Sequence, residues 1–127
     1  MTRNILVTGA ASGIGAAICK KLANEETNFL VHTRSNEEGL DQIVRYIEGI
    51  GGRAHQKLSD LSIKGEGRLL IKEAVQRFDG LDIIIANAGY ANKSSITDIT
   101  DEEFEEAHNT IARSFFELTT SAIPFLK

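Results

Sequence analysis

Residues 8–15 read TGAASGIG, and this stretch decides the fold of the chain. It begins where a short apolar run, residues 5–7, ends, and such a run is typical of a strand buried on both faces of a sheet. Apolar residues then recur at helical spacing over residues 14–22, which predicts a helix. The stretch therefore predicts a tight turn that leads directly from a buried strand into a helix.

The glycines of this turn each allow a backbone feature that a larger residue hinders. Gly9 permits the tight turn, Gly13 lets a ligand approach the backbone, and Gly15 allows the helix to pack closely on the strand. Unpaired N–H groups and the helix dipole favour an anion here, and the Ser12 hydroxyl can bind a phosphate oxygen. We predict that a dinucleotide pyrophosphate binds at the turn; a glycine-rich turn without a ligand is the alternative.

Beyond the turn, apolar runs and helical patterns alternate to the end of the chain. Such alternation implies right-handed crossovers and a parallel sheet covered on both faces. We predict an α/β fold: a Rossmann-like doubly wound parallel sheet of about four strands in the order 3-2-1-4, with helices on both faces and residues 1–127 forming one domain. The other predicted strands are residues 29–33, 53–61 and 81–86, and the other predicted helices run from Ser35 to the glycines at 49–52, over residues 63–78, and from Thr100 toward Pro124.

Two of the predicted helices begin with the spacing of a capping box, in which a Ser or Thr cap is followed three residues later by Glu. Ser35 precedes Glu38 in the first, and Thr100 precedes Glu103 in the second. The acid-rich residues 101–106 follow the second cap. We interpret them as acids that suit the positive end of a helix and face solvent, rather than as a site for a metal or a basic partner.

The composition excludes several classes of protein. Of 127 residues, 42% are hydrophobic and 25% are charged, which excludes collagen-like and disordered classes. The 18 acids outnumber the 14 bases, so no basic excess favours nucleic acid as a partner. One cysteine, no signal peptide and no apolar stretch of about 18 residues favour a cytoplasmic protein without a membrane segment. The histidines lack metal-ligand spacing, so no metal site is predicted.

The motif Thr8-Gly9-x3-Gly13-Ile14-Gly15 resembles the cofactor motif of the short-chain dehydrogenase/reductase family. Asp60-Leu61 closes the predicted third strand, where this family places an Asp that contacts the adenine amino group. Asn87-Ala88-Gly89 resembles the family's N-A-G element after the fourth strand, and Asn109 stands where the family carries an active-site Asn. The resemblance covers the whole chain and implies an oxidoreductase that moves hydride between a nicotinamide dinucleotide and a carbonyl or alcohol carbon. The cofactor-binding residues it implies are Gly9, Ser12, Gly13, Ile14, Gly15, Asp60, Leu61, Asn87, Ala88 and Gly89.

The end of the second predicted strand favours NADP over NAD. A site for NAD usually has an acid about 20 residues after the glycines, which holds the ribose 2′-OH. Thr33 stands at that place and is followed by Arg34 and Ser35. A guanidinium can bind a 2′-phosphate through two charge-assisted hydrogen bonds, and Ser35 can add a hydroxyl. We therefore predict that Arg34 and Ser35 bind NADP; the alternative is an Arg34 that is solvated, or stacks on adenine, and selects neither cofactor.

The catalytic residues that the resemblance implies are a Tyr, a Lys four residues later and a Ser upstream of the Tyr, all beyond the fifth strand. Tyr46 and Tyr90 are followed at that spacing by Ile50 and Ser94, so neither tyrosine fits the role. We expect Tyr90 in the wall of the site. Asn109 is the one catalytic residue that can be carried over, since the family's Asn holds a water in a proton relay to the Lys; the alternative is a polar residue that bends the long helix or forms a hydrogen bond within it.

Three functional interpretations remain open at this point. The chain is the cofactor-binding half of such an oxidoreductase, inactive as it stands; or a non-catalytic nucleotide-binding or interaction module built on a half-Rossmann fold; or a fragment of a full enzyme.

The chain is also expected to associate. In the order 3-2-1-4 the apolar run 81–86 forms an edge of the sheet, and a long apolar edge strand is an association hazard. The resemblance places the last helix in a subunit interface, and this helix is rich in apolar residues: Phe115, Phe116, Leu118, Ile123, Phe125 and Leu126. We therefore expect a homo-oligomer or a complementing C-terminal fragment.

Overall fold

A four-stranded parallel sheet in the order β3-β2-β1-β4 organises the structure, as predicted. The structure is a computed structural model and describes residues 1–90 and 93–126. The strands are β1 (Arg3–Val7), β2 (Thr27–Thr33), β3 (Arg53–Leu58) and β4 (Ile83–Ile85). The helices are α1 (Gly13–Leu22), α2 (Glu37–Gly49), α3 (Glu66–Phe78), α4 (Asp101–His108) and α5 (Ser114–Ala122), with a π-helical segment (Asn109–Arg113) between the last two.

Side chains of the central strands alternate between two apolar layers, and helices cover both. Ile5 and Val7 of β1 are buried in the layer that contains residues of α1 and α2. Leu6, between them, is buried in the opposite layer with Leu30 of β2 and residues of α3 and α5. This alternation is the period of a strand whose two faces are both buried. The C-terminal ends of all four parallel strands therefore meet at one edge of the sheet.

Two strands are shorter than the apolar runs that predicted them. The strand predicted over residues 53–61 is β3, Arg53–Leu58, because its partner β2 ends at Thr33, which is paired with Leu58. The strand predicted over residues 81–86 is β4, Ile83–Ile85, which pairs only with Ile5 to Val7 of β1. The expectation of a long apolar edge strand is therefore wrong: the edge is short, which limits the backbone it offers for pairing.

The helix starts correct one sequence prediction and confirm another. The cap of α2 is Asn36 rather than Ser35, and its side-chain oxygen accepts a hydrogen bond from the Gly39 N–H at 3.0 Å. Asn caps helices as well as Ser does, so a cap at Asn36 stabilises the start of α2 as much as the predicted cap at Ser35 would. The predicted cap Thr100 is confirmed, since its side chain accepts from the Glu103 N–H at 3.2 Å.

A buried carboxylate explains why the third helix begins late. The helix predicted from residue 63 starts at Glu66, after Gly65. Glu117 of α5 is 2% exposed and accepts hydrogen bonds from the backbone N–H groups of Gly65, at 2.7 Å, and Gly67, at 3.2 Å. It also forms an ion pair with Arg68 at 3.2 Å. The two glycines that weaken the helical pattern thus contact the Glu117 carboxylate, which binds the N-terminus of α3.

The last helical stretch is interrupted. Sequence periodicity predicts one helix from Thr100 toward Pro124, whereas α4 ends at His108 and a π-helical segment, Asn109–Arg113, leads into α5. The Ser114 N–H donates to the Asn109 carbonyl, the five-residue span of a π-helix. Among the helices of residues 1–90 and 93–126, none has both the length and the apolar character needed to cross a membrane.

Candidate functional site

The glycine-rich turn has the backbone that the sequence predicts. Gly9 and Gly13 have φ values of +63° and +55°, in the left-handed region that favours glycine. A Cβ on Gly15 would overlap the Gly9 carbonyl oxygen and the side-chain amide of Asn87. A Cβ on Gly13 would meet nothing within 4 Å, so the backbone at Gly13 borders open space. The turn is therefore tightly packed on its inner side and open on its outer side.

The N-terminus of α1 has features that suit an anion. Ser12 is the N-cap residue in extended conformation, and its side chain makes no capping hydrogen bond. The first turn of α1 contains no acidic residue. The sequence pattern grouped Ile14 with the buried stripe of this helix, yet Ile14 is 73% exposed beside the exposed Ser12 and Gly13. Exposed N–H groups without a side-chain cap or a nearby acid can receive a phosphate.

The segment after β4 fixes the turn from one side. The side-chain amide of Asn87 donates to the carbonyl oxygens of Thr8, at 3.3 Å, and Gly9, at 3.1 Å. The Thr8 hydroxyl oxygen accepts from the backbone N–H groups of Asn87 and Ala88, both at 3.0 Å. Thr8 is buried, and its hydroxyl is a positioning group that sequence reasoning quoted without a role. Asn87 and Ala88 therefore hold the turn in place, and Gly89 follows them at the exposed rim.

His32 fixes the turn from the other side, and the sequence analysis missed it. The ring is 2% exposed; its Nδ1 lies 3.2 Å from the Gly9 nitrogen and its Nε2 lies 2.8 Å from the Ser59 carbonyl oxygen. Because the Gly9 N–H can only donate, Nδ1 must be unprotonated and the proton sits on Nε2. Burial lowers the pKa of His32, with an opposing contribution from the Ser59 carbonyl. The only sequence signal was a polar residue that directly follows the apolar run of residues 29–31 and lies two positions before Arg34.

This neutral histidine predicts a loss of stability in mild acid. The folded state has the lower pKa, so the unfolded chain binds the extra proton as pH falls. The stabilisation should be complete above the unfolded pKa of about 6.5 and decrease as pH falls below it. The urea midpoint measured across this range should become less pH-dependent in His32→Gln. His55→Gln is the matched control, because its pKa is also lowered but its ring is half-buried; an equal flattening there would contradict the assignment to His32.

The residues predicted to select the cofactor lie in a charged cluster. Arg34, at the end of β2, forms ion pairs with Asp60 at 3.4 Å and with Glu106 of α4 at 3.1 Å, and its side chain is 57% exposed. The hydroxyl and then the backbone N–H of Ser62, together with the Arg34 charge, lower the pKa of Asp60. Asp60 is thus an ionised acceptor in the loop after β3. The expectation that the acids of residues 101–106 only face solvent is wrong at Glu106.

The other predicted residues take different places. Ser35 is exposed beside Arg34, and Leu61 is 3% exposed in the apolar layer under α3 and α5, so its side chain belongs to the core. Asn109 is half-buried at the start of the π-helical segment, and within residues 1–90 and 93–126 no side-chain hydrogen bond joins it to the glycine-rich turn. A cavity of about 230 Å³ separates this segment from the sheet edge, lined by Thr8, Ala86, Ala88, Ile111, Ala112, Ser114 and Phe115.

The chain is similar in sequence to known oxidoreductases. A family profile described as short chain dehydrogenase matches residues 3–127. An uncharacterized oxidoreductase from Methylorubrum extorquens is 37% identical over 99 residues, which are 78% of this chain and 40% of that protein. A 3-oxoacyl-[acyl-carrier-protein] reductase from Staphylococcus aureus is 29% identical over 98% of this chain and 50% of its own length. The chain thus spans about half the length, or less, of these curated relatives.

The chain is also similar in structure to a solved short-chain dehydrogenase. A short-chain dehydrogenase from Burkholderia cenocepacia in complex with NADP superposes with a TM-score of 0.93 at 30% identity. The match covers 98% of this chain and 51% of that chain. The sheet, the glycine-rich turn and the helices described above therefore have a close structural counterpart over one half of a longer protein.

Proposed function

The chain belongs to the short-chain dehydrogenase family, and we propose that it is the NADP(H)-binding part of an oxidoreductase of this family. The observation that carries the proposal is the open, uncapped N-terminus of α1 behind the turn of Gly9 and Gly13. When bound, the dinucleotide supplies or accepts the hydride that this family exchanges with a carbonyl or alcohol carbon. Residues 1–127 act as one nucleotide-binding unit in this proposal.

The turn would hold the pyrophosphate. The backbone N–H groups proposed to bind it belong to Ser12, Gly13 and Ile14, which are exposed residues, and the Ser12 hydroxyl is not used as a cap. Asn87 and His32 keep the inner side of the turn fixed, so these N–H groups need no rearrangement to meet an anion. Preorganised donors lower the cost of binding because the chain has little left to order.

The adenosine end of the cofactor would lie toward Arg34 and Asp60. Asp60 is ionised and can accept a hydrogen bond from the adenine amino group. Arg34 supplies a guanidinium where a site for NAD would have a carboxylate, and Ser35 adds a nearby hydroxyl. We propose NADP rather than NAD on this ground. Leu61, Ala88 and Gly89 would contribute backbone or small side chains to the wall of the cofactor site.

The reaction itself is proposed for the whole polypeptide that contains this chain. No Tyr-x3-Lys occurs within residues 1–127, so the acid that the family uses is not among them. Asn109 is proposed as the residue of this chain that supports proton transfer, because it begins the π-helical segment beside the cavity at Thr8 and Ala88. A π-helical turn inside a helix is frequent at functional sites.

Association and location complete the proposal. Phe115, Phe116, Ile123 and Phe125 are between 43% and 61% exposed on the last helix and the residues after it. We propose that a second copy of the chain, or a complementing C-terminal fragment, covers them, since apolar patches of this kind mark protein contacts. A cytoplasmic location is proposed from the one cysteine, Cys19, which is free and buried.

Arg34→Ala tests the cofactor assignment. Removal of the guanidinium should weaken NADPH binding about tenfold, because solvent screens the contacts of this exposed side chain, and change NADH binding less than twofold. Fluorescence titration of the reduced cofactors measures both affinities on the same protein. Arg45→Ala is the control, because Arg45 is exposed on α2 and forms no ion pair with Asp60 or Glu106 within the part of the chain that the structure describes. Equal losses for NADPH and NADH would contradict the proposal that Arg34 reads the 2′-phosphate.

A further inference from the structure

The fork of the Arg34 guanidinium is already occupied by two carboxylates. Nη1 lies 3.1 Å from Oε1 of Glu106, and Nη2 lies 3.4 Å from Oδ2 of Asp60. These are the two nitrogens that a guanidinium offers when it binds a phosphate through parallel hydrogen bonds. Asp60 is itself the predicted adenine contact, but Glu106 comes from α4, which no motif of the cofactor site includes.

The surroundings of Glu106 include a second polar side chain. The Tyr90 phenol lies near the Glu106 carboxylate. Partial burial, and then the negative charges of Glu106 and Glu103, raise the pKa of Tyr90, so the phenol stays a donor at neutral pH. The Glu106 side chain is 34% exposed, against 57% for Arg34, so the carboxylate is the less accessible partner. Residues from β2, from the segment after β4 and from α4 thus converge on one carboxylate.

We propose that Glu106 is a specificity-determining residue that competes with the 2′-phosphate of NADP for Arg34. The inference rests on the proposed cofactor site. NADP must replace the Glu106 carboxylate at Nη1, as well as the Asp60 carboxylate at Nη2, in order to use the whole fork. NAD carries no 2′-phosphate and leaves both ion pairs intact. Glu106 therefore lowers the affinity for NADP but not for NAD, and so reduces the ratio of the two affinities.

The solvent exposure of the Arg34 and Glu106 side chains sets the expected size of the effect on NADP affinity. An ion pair between half-exposed side chains is weak and is screened by salt, whereas a phosphate group carries more negative charge than one carboxylate. The phosphate should therefore displace Glu106 rather than be excluded by it. Loss of such a pair corresponds to a change in affinity of about two- to fivefold, largest at low ionic strength.

Glu106→Gln tests the inference on the full 127-residue chain. This variant keeps the shape of the side chain and removes its charge. At low salt the NADPH dissociation constant should fall about two- to fivefold, and the NADH dissociation constant should change less than twofold. In an Arg34→Ala background the gain in NADPH affinity should disappear, since the competing partner is then absent.

Glu102→Gln is the matched control. Glu102 lies one helical turn before Glu106, is exposed, and is not an ion-pair partner of Arg34 within the part of the chain that the structure describes. It removes the same charge from the same helix. An equal gain from Glu102→Gln, an equal gain for both cofactors, or no gain from Glu106→Gln in a chain that binds NADPH would overturn the inference alone. A wild-type chain that binds neither cofactor would overturn the proposed function and the inference with it.

Discussion

Gly15→Ala is expected to destabilise the folded chain by about 3 kcal/mol, the upper end of the range for overpacking substitutions. The new methyl group would overlap the backbone carbonyl of Gly9, and the Asn87 amide blocks the other direction. Both groups belong to a rigid network, because Asn87 bonds to the Thr8 and Gly9 carbonyls. The chain can relieve the overlap only by moving α1 away from β1. Urea unfolding followed by circular dichroism measures the loss.

Gly49→Ala is the matched control for this prediction. Gly49 is the last residue of α2, and a Cβ there would meet nothing within 4 Å. Alanine at a helical position without strain should leave stability unchanged or raise it by about 0.5–1 kcal/mol. A Gly15→Ala chain as stable as the wild type would contradict the close packing of α1 on the turn.

Gly13→Leu is expected to weaken NADPH binding about 100-fold, which corresponds to the loss of two charge-assisted hydrogen bonds. A side chain at Gly13 projects into open space on the outer side of the turn, where the pyrophosphate is proposed to bind. The substitution therefore blocks the ligand without clashing with the protein. Fluorescence titration with NADPH measures the change.

The positive φ of Gly13 requires a control for backbone strain. Gly65 has a φ of +92° and also has no atom within 4 Å of its Cβ position, and it precedes α3 rather than α1. Gly65→Leu should therefore show a comparable loss of stability and unchanged NADPH affinity. If both variants lose affinity equally, strain rather than a blocked site explains the result.

The sequence predicts the strands and the turn because both depend on local patterns, whereas the strand order is predicted from the topology of Rossmann-like folds. Apolar runs of strand length alternate with helical periods, and the glycine spacing at Gly9, Gly13 and Gly15 fixes the link between the first strand and its helix. The observed order β3-β2-β1-β4 confirms the prediction. Element ends are less predictable, since β3 and β4 stop where their partner strands stop, and a single sequence does not reveal that register.

Contacts between groups that are distant in the chain could not be predicted from the sequence. His32 binds Gly9 from the neighbouring strand, and Glu117 caps α3 from α5, 50 residues from Gly67. Glu106 was one acid among several in a run whose ordinary role is to face solvent. Only the packing of α4 beside the strand ends shows that its carboxylate reaches Arg34. Each of these contacts joins residues far apart in the chain, for which no local pattern exists.

Calorimetric titration of the folded wild-type chain with NADPH tests the central claim most directly. The account predicts saturable heat with one cofactor bound per chain, weaker binding of NADH, and the large loss of affinity in Gly13→Leu described above. No heat with either cofactor, from protein whose circular dichroism shows a folded α/β chain, would contradict the claim that the glycine-rich turn binds a dinucleotide.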